Sequence, residues 1–311
     1  MWLHGRRTLR FRGVHLRESS SPERRIFRGP GCGWILDDGG QDRYGITKRP
    51  GSPFRSATLC GVKLLSRLIR LPLRLVPVDR VVRILSGELR GSKWITSSAT
   101  HGCWIGTYER ETQRAFQQMI RKGSVVLDIG ANAGFFTLLA AKQTGPQGAV
   151  FSFEPLPRNL DYLRRHIALN RATNVQVLPI ALASQSGFAR FGTAANPAMG
   201  ALTAEGELEV RTESLDELVV SGRVAPPHFL KIDVEGAEFG VLTGAAAVLA
   251  SHRPFILLST HGYREHERCC AFLRDLQYEL RDLRDGTSDG QYTVLASAVG
   301  EQPHSGSRLP V

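Results

Sequence analysis

The stretch VVLDIGANAGFFT, Val125 to Thr137, followed by FSFEP, Phe151 to Pro155, decides how this chain is read. The apolar run Val125 to Leu127 reads as a buried strand; it ends at Asp128 and passes into the turn Gly130-Ala131-Asn132-Ala133-Gly134. An apolar helical pattern starts at Phe135, and a second apolar run, Ala149 to Phe153, delivers Glu154 twenty-four residues after Gly130. Strand, glycine turn, helix, strand and acid, in that order, are the grammar of a nucleotide-binding α/β unit. The glycines let the backbone approach a ligand closely. The acid at the end of the neighbouring strand is placed to take both hydroxyls of a ribose.

The same turn narrows the ligand. A dinucleotide fingerprint requires G-x-G-x-x-G, whereas Asn132 stands where the second glycine would be, so the bare backbone a pyrophosphate needs is missing and NAD fits poorly. No G-x-x-x-x-G-K-[ST] occurs, which excludes the phosphate loop of the nucleotide hydrolases. A ligand with a ribose and no phosphates suits the pattern, and S-adenosylmethionine is the candidate. The bland alternative, in which Asp128 and Glu154 only cap helices or sit in solvated turns, has to explain both acids in register.

The 311 residues are 42% apolar and 22% charged, ordinary for a soluble enzyme. The net charge of +11 is unevenly spread: residues 1–100 hold 20 Lys/Arg against 7 Asp/Glu, and the remainder holds 20 against 22. The catalytic region is therefore not a basic nucleic-acid binder, and no nucleic-acid motif is present. Five scattered cysteines without C-x-x-C argue against a disulfide framework or zinc site and point to a reducing, cytoplasmic setting. There is no uncharged apolar run of eighteen residues and no secretory pattern.

Residues 1–58, rich in Arg, Gly, Ser and Pro, read as a disordered basic extension, or as translated sequence upstream of the true start. Residues 59–100 read as an amphipathic helical cap or linker, with Val78, Val81, Val82 and Leu85 on one face of a short helix and Pro72 and Pro77 as breaks. A helical cap packed on the core is favoured over peripheral contact of residues 61–90 with an anionic membrane. A catalytic domain spans 101–300, and 301–311 form a flexible tail.

From Val125 onward the pattern predicts strands at 125–128, 149–153, 174–179, 228–233, 254–259 and 291–297. It predicts helices at 135–143, 157–169, 237–250 and 264–276. This rhythm makes an α/β fold with a largely parallel sheet and helices on both faces. Residues 184–227 break the rhythm, and their alternation at 188–191 and 208–212 predicts strand-like insertions and a loop over the ligand crevice.

A second chemical cluster, FLKIDVEGAE, runs from Phe229 to Glu238. Asp233 falls at the carboxyl end of its strand, where open parallel sheets bind ligands, together with Lys231, Glu235 and Glu238. The plain alternative is a surface helix start with acids favourable to the dipole. His261, in STHG after the next apolar strand, belongs to the same edge and is the natural general base near neutral pH, or else a hydrogen-bonded structural histidine. His101 and Glu109, in THGCWIGTYE, form a polar and aromatic segment that either folds over the cofactor or straps the core.

Together DIGANAGFFT, FEP, the helix ending HIALN, LDEL at Leu215 to Leu218, KIDVEGAE and STHG resemble the FkbM family of S-adenosylmethionine-dependent methyltransferases, over about residues 100–285. The resemblance implies a Rossmann-like methyltransferase fold with a seven-stranded sheet whose last strand is antiparallel. It also implies O-methylation of a hydroxyl on a sugar, glycan or secondary metabolite. By position, Asp128, Gly130, Asn132, Gly134 and Thr137 would serve the cofactor, Glu154 its ribose, and Asp233 and Glu235 its reacting end. Many members carry a carboxylate before the final His, where this chain has Ser259 and Thr260. His261, Asp233 and Lys231 are the catalytic candidates; metal-free chemistry ranks first and no metal ligand is assigned, the alternative being a divalent metal on Asp233 and Glu235 that lowers the hydroxyl pKa. The competing expectations are a protein or amine acceptor, or a non-catalytic, membrane-docked scaffold.

Overall fold

Alternation between two apolar faces builds the sheet. In β5 (Val125–Ile129), Leu127 and Ile129 pack on one side with Leu230, Ile232, Ile256 and Leu258, while Val126 packs on the other with Val150, Phe229 and Leu257. Such strands are buried on both faces, as a parallel sheet between helical layers requires. The computed structural model of the chain describes residues 28–29, 32–33, 77–192, 201–202, 206, 208–285 and 290–299.

The chain divides into two units, Met1–Leu59 and Cys60–Val311. In the first, β1 (Arg28–Gly29) pairs antiparallel with β2 (Cys32–Gly33); the rest of the expected extension, like residues 61–76 and the tail 301–311, lies outside the described residues. In the second unit, β3 (Val81–Arg83) and β4 (Lys93–Ile95) form an antiparallel pair. They are followed by α1 (His101–Ile105), α2 (Arg110–Met119), β5, α3 (Phe135–Thr144), β6 (Ala149–Phe153), α4 (Pro157–Asn170) and β7 (Val175–Leu178). Next come β8 (Ala181–Leu182), β9 (Gly187–Gly192), β10 (Ala201–Leu202), β11 (Leu208–Glu213), α5 (Leu215–Val220) and β12 (Phe229–Ile232). The unit closes with α6 (Glu238–Thr243), α7 (Ala246–His252), β13 (Phe255–His261), α8 (Tyr263–Asp275), β14 (Tyr278–Asp285) and β15 (Gln291–Ala298).

The main sheet has seven strands in the order β14-β15-β13-β12-β5-β6-β7. Strands β13, β12, β5, β6 and β7 run parallel, and β15 lies antiparallel between β13 and β14. The chain turns from β5 outward to β6 and β7, then crosses back to β12. The switch point therefore lies between β5 and β12, and the crevice for a ligand opens at their carboxyl ends. The expected insertion is present as a four-stranded sheet, β10-β9-β11-β8.

Three elements differ from the sequence expectation. Val78 to Leu85 do not form a helix: Val81 to Arg83 are extended, Val78, Val81 and Leu85 are exposed, and of these three valines and one leucine only Val82 packs inward. The hairpin owes its order to Trp94 and Ile95, both fully buried, which a reading of the valine spacing leaves out. The helix expected over 237–250 is interrupted at Gly244, a poor helix former. Strand β14 was missed because its sequence, YELRDLRD, is charged, as befits the edge of a sheet.

His166, in α4, ties this hairpin to the ligand turn. It is fully buried, stacked on Trp94 at 3.9 Å; its Nε2 accepts from Ile95 N at 2.9 Å and its Nδ1 donates to Ala133 O at 2.7 Å. Burial pushes its pKa from 6.5 down to about 4, against the hydrogen bond to Ala133. A histidine depressed in the folded state gives its full stabilisation above the unfolded pKa and loses it as the pH falls through the folded one. Wild type is expected to lose about 3 kcal/mol from this group between neutral pH and below pH 4. Urea unfolding at pH 7 and pH 4.5 checks this: His166→Gln, weaker at pH 7, should lose less on acidification, and equal losses would contradict the role.

Candidate functional site

The crevice at the switch point is a cavity of about 740 Å³, walled by Ile129 to Ala133, by Glu154 and Leu156, and by Lys231, Asp233 to Glu235 and His261. Two glycines and an asparagine shape the turn. At Gly130 φ is +79° and a Cβ would lie 1.9 Å from Asp233 O, so the turn presses directly on the end of β12. Asn132 takes φ +49°, which asparagine tolerates, and its Oδ1 accepts from Ala133 N at 2.7 Å. Gly134 starts α3, and a Cβ there would lie 2.5 Å from Leu163 Cδ1.

Glu154 reaches across from the end of β6. It is 4% exposed; Oε2 accepts from Asn132 N at 2.8 Å and Oε1 from Leu156 N at 2.9 Å. Burial holds its pKa above the ordinary carboxylate value, although the two backbone N–H groups pull the other way. The Asn159 side chain also hydrogen-bonds this carboxylate, and the acceptor capacity that remains faces the cavity.

Asp128, Gly134 and Thr137 do not face this cavity. Asp128 is fully buried beneath the turn, where Thr137 Oγ1 donates to its Oδ2 at 2.6 Å and also meets Ser152 Oγ at 2.9 Å. These three residues support the turn from behind the cavity wall; the sequence pattern marks the turn but cannot tell its face from its foundation. Gly130, Asn132, Glu154, Asp233 and Glu235 do line the cavity, as do Lys231 and His261.

The second cluster assembles at the ends of β12 and β13. Lys231 Nζ, 4% exposed as a residue, lies 3.6 Å from Asp128 Oδ1 and 3.5 Å from Asp233 Oδ2, and 5.3 Å above the Phe136 ring. Burial alone would depress this ammonium, yet the carboxylates of Asp233, Asp128 and Glu109 lift it above its ordinary value. His261 Nδ1 lies 2.9 Å from Glu238 Oε1, while Nε2 faces Glu235 Oε2 at 3.4 Å and Asp233 Oδ1 at 3.8 Å. Burial pulls His261 down, but the Glu238 hydrogen bond and the Glu235 and Asp233 carboxylates raise it to about 9. At neutral pH its ring is therefore charged, which corrects the expectation of a neutral histidine base. Glu235 is raised by burial, with His261 opposing, and sits at φ +56°, a strain of about 1 kcal/mol for a residue with a side chain.

The segment THGCWIGTYE, expected to fold over the cofactor or to strap the core, reaches the cavity in part. Glu109 lines the cavity whereas its motif partner His101 stays exposed outside it. Burial and the nearby Asp233 raise the Glu109 carboxyl. Arg284 and Gln291, on the sheet-edge strands, also reach the cavity and hydrogen-bond each other at 2.8 Å. No local motif carries them; only the antiparallel return of β15 brings them to the ligand. Among the described residues Cys103, Cys269 and Cys270 are free buried thiols, and no helix is long and apolar enough to cross a membrane.

A mostly parallel seven-stranded sheet with an antiparallel β15, and a ribose-type acid facing a glycine turn at its switch point, define a Rossmann-like methyltransferase fold. Residues 128–280 match the family model of the methyltransferase FkbM domain. Over 157 residues it is 32% identical to the hexuronic acid methyltransferase AglP of Haloferax volcanii, covering 49% of this chain and 62% of that one. It is 30% identical over 154 residues to the methyltransferase sdnD of Sordaria araneosa, covering 38% of this chain and 59% of that one. The crystal structure of a methyltransferase FkbM from Methylobacillus flagellatus KT is 15% identical, covering 64% of this chain and 55% of the other with a TM-score of 0.41. The chain thus spans less than two thirds of the length of the curated relatives it matches.

Proposed function

We propose that this protein is an S-adenosylmethionine-dependent O-methyltransferase acting on a hydroxyl of a sugar or glycan. The observation that carries the reading is the pairing, in one cavity, of the Glu154-backed turn with the Asp233–Glu235–His261 edge. The residues present fit the cofactor. Glu154 has acceptor capacity for the ribose hydroxyls, the turn offers backbone rather than phosphate-binding cations, and Phe153, Leu156, Ile180 and Leu182 offer an apolar surface for the adenine. When bound, S-adenosylmethionine supplies a methyl group on a sulfonium sulfur, open to displacement by an oxygen.

The chain's own residues orient the acceptor and receive its proton. Asp233 Oδ1 is the proton acceptor, because Lys231 holds the other oxygen of that carboxylate and fixes its direction. Charged His261, braced by buried Glu238, orients the acceptor oxygen beside Glu235. Lys231 is a positioning residue that keeps Asp128 and Asp233 together across the β5–β12 switch. Alignment of the acceptor and exclusion of water are the larger part of such a transfer.

The hexuronic acid named for the Haloferax relative motivates the sugar acceptor. Methyl-labelled cofactor, offered with uronic-acid glycans, neutral glycans and protein acceptors, tests the reading. Alkali-stable label on a glycan is the expected ether. Alkali-labile label would move the reaction to a carboxylate, and label on protein alone would replace the acceptor class.

A further inference from the structure

Oδ1 of Asp233 and Oε2 of Glu235 both face Nε2 of His261, and the three atoms lie within 4.8 Å of one another. Two atoms each about 2.1 Å from a common ion lie about 3.0 Å apart at a right angle and about 3.4 Å apart at the tetrahedral angle. The observed separations from Nε2 are 3.4 and 3.8 Å, so the ring nitrogen and either carboxylate oxygen need to approach by less than about 1 Å to share an ion.

The surroundings of the trio point the same way. His261 keeps its far nitrogen on Glu238 Oε1, and a carboxylate behind the ring is what orients a metal-ligating histidine and strengthens it as a ligand. The other oxygen of Glu238, Oε2, is buried without a hydrogen-bond partner, so the negative charge behind the ring is incompletely compensated. Asp233 offers one oxygen to the trio while Lys231 holds the other, which leaves a single, directed ligand atom. Across the edge, four carboxylates, those of Asp128, Asp233, Glu235 and Glu238, meet two cations, Lys231 and His261. Partial exposure of His261, Asp233 and Glu235 leaves room for water and for an acceptor oxygen to complete a coordination shell.

We propose that Asp233, Glu235 and His261 bind a divalent cation of the manganese type. Two hard oxygens and one imidazole suit such an ion better than a closed thiolate site would, and a cation there stands in place of the ring proton. Its use rests on the proposed transfer to a hydroxyl: with the ion bound, Asp233 and the neutral His261 ring would serve as its ligands, and the acceptor oxygen would give its proton more easily, to solvent rather than to Asp233. Binding itself does not depend on that reading. The assignment revises the expectation of metal-free chemistry.

The test titrates the full-length protein with manganese chloride, following free Mn²⁺ by electron paramagnetic resonance, with cofactor affinity measured in parallel by calorimetry. One ion per chain is expected, with affinity about tenfold or more weaker in Glu235→Gln and in His261→Asn. Thermal melting of Glu235→Gln, whose side chain is partly exposed, at the wild-type temperature shows that the loss is not one of folding. Absence of saturable binding at millimolar Mn²⁺, or equal binding by wild type and both variants, overturns the proposal. Mn²⁺ bound at the trio in a protein that does not bind the cofactor would sustain the cation site and overturn the methyltransferase reading.

Discussion

Glu154→Ala is expected to weaken S-adenosylmethionine binding by about 100-fold. Two hydrogen bonds from ribose hydroxyls to a buried carboxylate are together worth about 3 kcal/mol, and each 1.4 kcal/mol is a factor of ten in affinity. The substitution also strips Asn132 N and Leu156 N of their acceptor, so the wall of the site loosens as the ligand contact goes. Glu154→Gln keeps one acceptor oxygen but turns an NH₂ toward a backbone N–H, and falls between wild type and alanine. Calorimetric titration reads both variants. Affinity of the alanine variant within threefold of wild type would remove Glu154 from the site.

The second large effect is on stability. Gly130→Ala forces a Cβ to within 1.9 Å of a backbone oxygen, Asp233 O, and holds a side chain at φ +79°. Neither atom can swing away, because Gly130 N is itself bonded to Phe153 O at 3.0 Å and Asp233 N to Ile129 O at 3.1 Å. The clash and the left-handed backbone together cost about 3 kcal/mol, or about 6–12 °C in Tm for a domain of this size. Gly123 is the control: its φ is +81°, yet nothing lies within 4 Å of a Cβ there. Gly123→Ala therefore carries backbone strain alone, about 1 kcal/mol. Thermal melts should separate the two variants clearly. If both melt together, the close approach of the turn to β12 is not what holds the switch point.

The parts of the molecule legible in the sequence are those whose signal is local. Strands β5, β6, β12, β13 and β15 announce themselves as apolar runs, and Glu154 and Asp233 by standing at the ends of such runs. The strand-rich insertion was visible from the alternation Phe188 to Phe191. What the sequence hides is set by distant contacts. The spacing of Val78, Val81, Val82 and Leu85 imitates a helix, but burial of Trp94 and Ile95 decides for a hairpin. Helix α2 carries its pattern in Ala115, Phe116 and Met119 among polar residues, too sparse to stand out.

The site divides in the same way. Residue types and strand ends place Lys231, Asp233, Glu235 and His261 together, and the sheet order brings Asp128 to Lys231. Whether a residue faces the cavity or props its wall depends on the path of the turn, which is why Thr137 and Asp128 were assigned to the ligand and prove to hold each other. The charge on His261 is likewise a product of three carboxylates, two from the loop that follows β12 and one from α6. The motif STHG shows none of them.

The central claim is that the cavity at the β5–β12 switch is a cofactor site read by Glu154. A crystal structure of the protein with S-adenosylhomocysteine tests it most directly. The account predicts both ribose hydroxyls within hydrogen-bond distance of the Glu154 carboxylate and the sulfur turned toward Asp233 and Glu235. A ligand bound elsewhere, or a ribose that leaves Glu154 unengaged, would contradict it.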